Sequence, residues 1–262
     1  MSDATSSDGV RVMLKVIDDD TDELAILKHL NDIKSAANHT IELHGIVHNS
    51  VINLVALRWR IPLNEYFRYY HPPESAVSFP EQFLEGVAFL HSYQVAHLDL
   101  KPGNVVVDCL DREHKHRPRI VIIDFGLSIF VEDEHTIIEG FCGTPPWVAP
   151  EVGTRDGPDR KYSPILADRW ACGRMVHYLE MLLAGGGDDS QSQFQEMLKD
   201  RLMSADPRAR PAVKEVLDAY QATKGGAKRF AEAEEGDGTI KRARVNLYVC
   251  HYYSQFSVAS EC

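Results

Sequence analysis

No uncharged apolar run in this 262-residue chain approaches the roughly 18–20 residues that a membrane-spanning helix needs, so a membrane bundle is excluded. Cysteine is scarce. Cys109, Cys142, Cys172, Cys250 and Cys262 are odd in number, far apart and without CxxC spacing. That usage reads as reduced thiols of an intracellular compartment, not as a disulfide framework. The N-terminal MSDATSSDGV has neither a basic segment nor an apolar core, so no secretory signal is expected. Positive charge is also short: 28 Lys and Arg against 39 Asp and Glu give a formal net charge of −11, which argues against direct nucleic-acid binding by the whole chain. These absences point to a soluble, intracellular protein with no membrane partner. What is present in ordinary proportion, 44% hydrophobic and 26% charged residues, excludes wholesale disorder and a collagen-like fibre.

Val10 to Ile17 alternates, with Val10, Val12, Leu14 and Val16 on one face and Arg11, Met13, Lys15 and Ile17 on the other, which predicts a strand. The spacing then turns helical, with Leu24, Leu27, Leu30 and Ile33 on one stripe, and Asp20 with Glu23 fits a capping-box start. IELHGIV (41–47) and VINLVAL (51–57) read as strands joined through HNS in a hairpin. Further on, helices are predicted over 79–93, 165–184, 193–203 and 211–222, and strands over 104–108 and 119–124. Beyond Lys224 the composition shifts to Gly, Ala, Glu and Lys or Arg without periodicity, as in a flexible tail. The acidity belongs to the part before it: residues 1–223 carry 22 basic and 34 acidic side chains, and 224–262 carry six and five.

Four segments carry chemistry: HLDLKPGN (97–104), DFG (124–126), GTPPWVAPE (143–151) and DRWACG (168–173). Pro102 and Gly103 keep the first from becoming helical, so Asp99, Lys101 and Asn104 project from one tight loop. They supply a carboxylate for a hydroxyl proton, a cation for developing phosphoryl charge and a carbonyl oxygen for Mg²⁺. Asp124 ends an apolar strand beside Gly126 and offers a second oxygen ligand from a separate loop. Each piece alone is an ordinary loop or strand end; the ordered set is not.

As a set, these segments resemble the eukaryotic protein kinase family over roughly residues 10–220. The resemblance implies an α+β, two-lobed protein-kinase-like fold with a reduced β-rich N-lobe (about 10–57) and a mainly helical C-lobe (about 62–222), followed by the tail 223–262. It also implies transfer of the γ-phosphoryl of ATP, with Mg²⁺, to a Ser or Thr of a protein substrate. In that scheme Asp99 and Lys101 are catalytic and Asn104 and Asp124 hold the metal. Lys15, in VMLKV, binds phosphate and pairs with Glu23, while Ala56 and Leu57 form the hinge beside the adenine. Lys101, two after Asp99, together with GTPPWVAPE resembles the serine/threonine branch. Thr144 would orient Asp99 and Lys101, Glu151 would pair with Arg210, and Asp168 would bond the catalytic-loop backbone. Leu27 would pack towards Phe125 and His97.

The pattern departs from the family in three places. Only 14 residues precede Lys15 and Gly9 is their one glycine, so the glycine-rich phosphate loop and the first two strands are expected to be missing, from a fragment or from a shortened kinase. Leu98 stands where most members carry the arginine that reads a phosphorylated activation loop. GGGDDSQSQ lies where a longer substrate-docking segment is usual. The missing loop keeps open an inactive kinase-like binding module, and a small-molecule phosphotransferase is the third alternative. His114, His116 and His135 lack zinc-ligand spacing and read as solvated loop. In the tail, Lys228-Arg229 and Lys241-Arg242-Ala243-Arg244 resemble a bipartite signal for a nuclear import receptor, which leaves nucleus or cytoplasm as the expected location.

Overall fold

The computed structural model describes residues 2–48, 53–69, 74–109, 118–183 and 200–222. The chain enters an antiparallel sheet through β1 (Ser2–Thr5) and β2 (Arg11–Ile17), joined by a turn in which Gly9 adopts φ +82°. A strand thus precedes β2, against the expectation that the strands before it are missing, although SDAT has no apolar alternation. It forms as an edge strand, held by backbone pairing to β2 and, in the turn, by the Ser6 hydroxyl, which lies against Asp8 and the Val10 carbonyl and accepts the Val10 N–H.

Helix α1 (Glu23–Asp32) buries Ile26, Leu27 and Leu30. The helix begins after Asp22, and no side chain caps it, so the expected box from Asp20 does not form. The reason is local: Glu23, which would have reached back to the cap, is drawn to Lys15 instead. Strands β3 (Leu43–His48) and β4 (Asn53–Arg58) complete a sheet of order β1-β2-β4-β3. The register sets Lys15 opposite Val55 and Met13 opposite Leu57, so these four share one face. Val55 is fully buried there, whereas Val16, on the other face, is 55% exposed. The apolar-looking alternation of β2 therefore turns its lysine face inward.

The chain leaves this sheet at Trp59, whose N–H donates to the Arg11 carbonyl at 3.1 Å while the Arg11 guanidinium lies over the Trp59 ring. β5 (Ile61–Pro62) and α2 (Leu63–Tyr69) lead to a 3₁₀ turn, Glu74–Ser78, and to α3 (Phe79–Ser92). The small strands β6 (Val95–Ala96), β7 (Val105–Asp108), β8 (Arg119–Ile122) and β9 (Ile129–Phe130) follow. They form the sheets β5-β7-β8 and β6-β9, which frame residues 97–104 and 123–128. β10 (Ile138–Glu139) pairs with β11 (Lys161–Tyr162), then come α4 (Pro164–Leu183) and α5 (213–222). A single apolar core runs from Ile17 and Leu27 through Phe125 and the α3 side chains Phe83, Leu84 and Leu90 to Met175 of α4 and Val216 of α5.

His39, in the α1–β3 connection, is buried against the larger lobe, with Nδ1 2.9 Å from the Ile120 carbonyl and Nε2 3.0 Å from Glu85. Gly86 is required at that contact, since a Cβ there would stand 2.8 Å from the His39 Cβ. No helix among the described residues is long and apolar enough to cross a membrane. Several expectations lie outside the described residues: most of the HNS hairpin, His114 and His116, most of the helix over 193–203 and the tail 223–262.

One buried charge in the helical lobe has a cost that can be measured. Glu180 of α4 is 6% exposed, its Oε1 has no hydrogen-bond partner, and burial pushes its pKa from the usual 4.5 up to about 7. Between those values the folded chain holds a proton that the unfolded chain releases, so stability falls as pH rises through this window. The difference is on the order of 3 kcal/mol. Glu180→Gln is expected to melt close to the native chain at pH 5 and clearly above it at pH 8. Parallel pH dependence of the two thermal midpoints would contradict this account.

Candidate active site

Two charge clusters assemble where the lobes meet. In the first, the Lys15 Nζ of β2 donates to Glu23 Oε1 of α1 at 2.6 Å and to Asp124 Oδ1 at 2.7 Å. Asp124 follows β8 and sits in the left-handed region at φ +65°. Burial works against the Lys15 ammonium, but the hydrogen bonds to Asp124 and Glu23 outweigh it and hold its pKa above the usual range. Burial lifts Glu23 above its usual range. Asp124 is also opposed by burial, yet its bond to Lys15 prevails and holds it below the usual carboxylate range. Of the three, Asp124 is the most accessible, its side chain 33% exposed against 15% for Lys15 and 4% for Glu23. Gly126 stands beside the cluster, where a Cβ would lie 3.4 Å from both Asp124 Oδ1 and Lys15 Nζ.

The second cluster lies on residues 97–104. Lys101 Nζ is 2.7 Å from Asp99 Oδ2 and donates to Thr144 Oγ1 at 2.7 Å. Asn104 Nδ2 donates to the Asp99 carbonyl at 2.9 Å and to Asp99 Oδ2 at 3.0 Å. Oδ2 of Asp99 is thus fully engaged, while Oδ1 is buried and has no hydrogen-bond partner. An orphaned buried carboxylate oxygen is costly.

His97 joins the clusters. Its Nδ1 lies 3.2 Å from the Asp99 N–H, and its Nε2 lies 3.1 Å from the carbonyl of Ile123, the residue before Asp124. Nδ1 must accept and Nε2 must donate, which fixes one neutral tautomer. Complete burial likewise holds His97 below its usual pKa. The Ile123 N–H donates to the Asn104 carbonyl at 3.0 Å, a second tie between the two loops. The Phe125 ring stacks 5.1 Å from His97, in the same core as Leu27. Reading the sequence did not assign His97 this bridging role, although its place two before Asp99 was the available signal.

The supports come from α4 and the turn before α5. Asp168 accepts the N–H of His97 at 2.6 Å and of Leu98 at 2.8 Å. Arg210, fully buried, makes a two-pronged bond to Glu151 at 2.6 and 2.9 Å and also donates to the carbonyls of Ser204 and Leu166. Lys15, Glu23 and Asp124 thus converge, as do Asp99, Lys101, Asn104 and Thr144. Ala56 and Leu57 lie inside β4, opposite Leu14 and Met13, and β4 extends to Arg58. The ladder with β2 continues that far because Val12 still pairs with Arg58.

The protein kinase domain family matches residues 11–212, which takes in both clusters and their supports. The chain belongs to this family. A CBL-interacting serine/threonine-protein kinase 8 of Arabidopsis thaliana is 33% identical over 139 residues, covering 53% of this chain and 26% of the plant protein. CBL-interacting protein kinase 19 of Oryza sativa subsp. japonica is 33% identical over 172 residues, 58% of this chain and 32% of that one. Death-associated protein kinase 2 of Homo sapiens is 30% identical over 270 aligned positions, 90% of this chain and 69% of that protein. The chain spans about a quarter to a third of the two plant relatives.

Within this kinase domain Arg210 is the support most exposed to a simple test. Removing it leaves the Glu151 carboxylate without its partner and strands the Ser204 and Leu166 carbonyls. Arg210→Ala is expected to lose about 3–5 kcal/mol of unfolding free energy, the usual cost of breaking a buried pair from one side. Urea denaturation measures it; a loss below about 1 kcal/mol would show that the pair contributes little.

Proposed function

We propose that this domain is a serine/threonine protein kinase that transfers the γ-phosphoryl of ATP to a protein hydroxyl. The carrying observation is the free, buried Oδ1 of Asp99 beside an engaged Oδ2. Oδ2 is paired with the Lys101 ammonium and accepts from the Asn104 amide, so the carboxylate keeps a fixed orientation and Oδ1 is left to take the proton of an incoming hydroxyl. Lys101, anchored by Thr144, balances negative charge that develops on the transferred group. Lys15 is held for a phosphate by Glu23, and its second carboxylate partner, Asp124, is open enough to be given up to a metal.

The residues fit Mg²⁺. Asp124 offers a partly exposed carboxylate, and Asn104, whose amide nitrogen is committed to Asp99, keeps its oxygen as the ligating end. Bound there, Mg²⁺ would neutralise phosphate charge and hold the nucleotide in place. Leu57 and Met13, neighbours on the face that carries Lys15, are proposed to border the adenine together with Ala56. The name of the Arabidopsis relative, a serine/threonine-protein kinase, supports the serine/threonine class. The tail residues Lys228, Arg229, Lys241, Arg242 and Arg244 stay a proposal for import-receptor binding, resting on sequence alone.

A second reading is a kinase-like domain that binds nucleotide without transfer. Radiolabel transfer from ATP to a generic Ser/Thr substrate, with nucleotide binding measured in the presence and absence of Mg²⁺, separates the two. The kinase reading expects metal-dependent binding and transfer in the native chain. It further expects that Asp99→Asn lowers transfer by 100-fold or more, on the order of the loss of a general base, with binding kept. Asp124→Ala should abolish both the metal dependence and the transfer. Metal-dependent binding without transfer in the native chain would decide for the second reading, and unchanged transfer in Asp124→Ala would sink the assignment of the metal site.

A further inference from the structure

Arg174 lies on α4 one turn beyond Trp170, and its guanidinium is held between two aromatic rings. Its Cζ is 5.3 Å from the centre of the Trp147 ring and 5.2 Å from that of Trp170. Nη1 donates to the Pro146 carbonyl at 2.7 Å, in a bond open to solvent. A guanidinium has five N–H donors, and among the described residues this is its one hydrogen bond. No carboxylate pairs with it among those residues, whereas Arg169 of the same helix is paired with Glu134, and Arg210 with Glu151. Burial holds the Arg174 pKa below the usual range, and no neighbouring charge offsets that cost. The two rings attract the cation through their quadrupoles but cannot neutralise it. A positive charge is thus partly desolvated, fixed in place and, among the described residues, left without an anion.

Its place is beside the transfer site. Lys101, the partner of Asp99, donates to the Thr144 hydroxyl, and the Thr144 carbonyl accepts the Trp147 N–H at 2.9 Å. Pro146, whose carbonyl Arg174 holds, is two residues after Thr144, a span of at most about 7 Å along the chain. On the other side the Trp147 ring meets Tyr178 edge to face at 5.7 Å, and the Tyr178 hydroxyl donates to Asn64 of α2 at 3.0 Å. Pro145 and Pro146 are exposed. A protein segment that places its hydroxyl at Oδ1 of Asp99 and runs along 144–147 advances ~3.3 Å per residue. It therefore sets a side chain two to four residues from the acceptor against Arg174.

We propose that Arg174 is a specificity-determining residue whose guanidinium receives an acidic side chain of the protein substrate, two to four residues from the phosphorylated Ser or Thr. This role rests on the kinase reading and adds to it the substrate class, a hydroxyl in acidic surroundings. A carboxylate fits because it accepts two parallel N–H bonds from a guanidinium, whereas a lysine in its place is repelled. The domain is otherwise acidic, residues 1–223 carrying 22 basic and 34 acidic side chains. Selection must therefore come from this contact, since the overall field repels acidic segments.

Short peptides test it, each with one Ser among alanines and with Asp, Ala or Lys placed two, three or four residues to either side. Binding to the full chain is read by fluorescence anisotropy of the labelled peptide, and transfer by radiolabelled ATP. In the native chain Asp at one of these positions is expected to bind at least about 10-fold more tightly than Lys, with a like gain in kcat/KM, and the preference should shrink as salt is raised. Arg174→Met keeps an unbranched side chain between the two rings and should lose the preference, while Arg174→Lys should keep part of it. Arg174→Glu should reverse it in favour of Lys, a change that a merely structural role would not produce. Equal or tighter binding of the Lys peptides to the native chain, or an Asp preference that survives in Arg174→Met, overturns the proposal. Should the Met and Glu variants fail to fold, the salt series and Arg174→Lys decide, and a salt-independent preference then overturns it. Asp-selective binding without transfer upholds the acidic contact and counts against the kinase reading alone, since anisotropy needs no turnover.

Discussion

One ammonium between two carboxylates organises this molecule. Lys15 comes from the small sheet, Glu23 from α1 and Asp124 from the loop after β8, so the three charges tie the helix and both lobes at one point. Without Lys15, two carboxylates would face each other in a partly buried place, and like charges there repel strongly. The helix start depends on the same contact. Glu23 is pulled to Lys15 instead of capping its own helix, and the register of β2 on β4 then turns Lys15, Met13, Val55 and Leu57 to the inner face.

A second constraint lies on the far side of the catalytic loop. The loop carries a residue at positive φ, a buried histidine in one required tautomer and a carboxylate oxygen without a partner, each unfavourable by itself. They persist because Asp168 takes two consecutive N–H groups and His97 spans from Asp99 to Ile123. Rigid support thus comes from α4 and the core, and it leaves one buried oxygen of Asp99 without a partner.

Much of this was legible before any coordinates. The tight turn through Pro102 and Gly103 announces that Asp99, Lys101 and Asn104 project together, and DFG announces a carboxylate at a strand end. The long helices were readable because their apolar spacing is sustained, as in α3, where Phe83, Leu84, Val87 and Leu90 are all buried. Less was legible at the edges. β1 has no hydrophobic pattern, because an exposed edge strand needs only backbone pairing. The end of β4 was not legible either, because its pairing with β2 continues to Arg58 and local sequence does not reveal where a ladder ends.

By itself the sequence determined which chemistry is on offer, since side-chain types at fixed spacing in a short loop cannot be arranged in many ways. It also determined that Leu98 cannot read a phosphate. The tertiary structure alone decided that Arg174 lies between two tryptophan rings, that His97 must be neutral, and that one oxygen of Asp99 is left without a partner. The physical reason is the same in each case. Burial and hydrogen-bond satisfaction depend on groups far apart in the chain, such as Asp168 and Ile123, which spacing along the sequence cannot place.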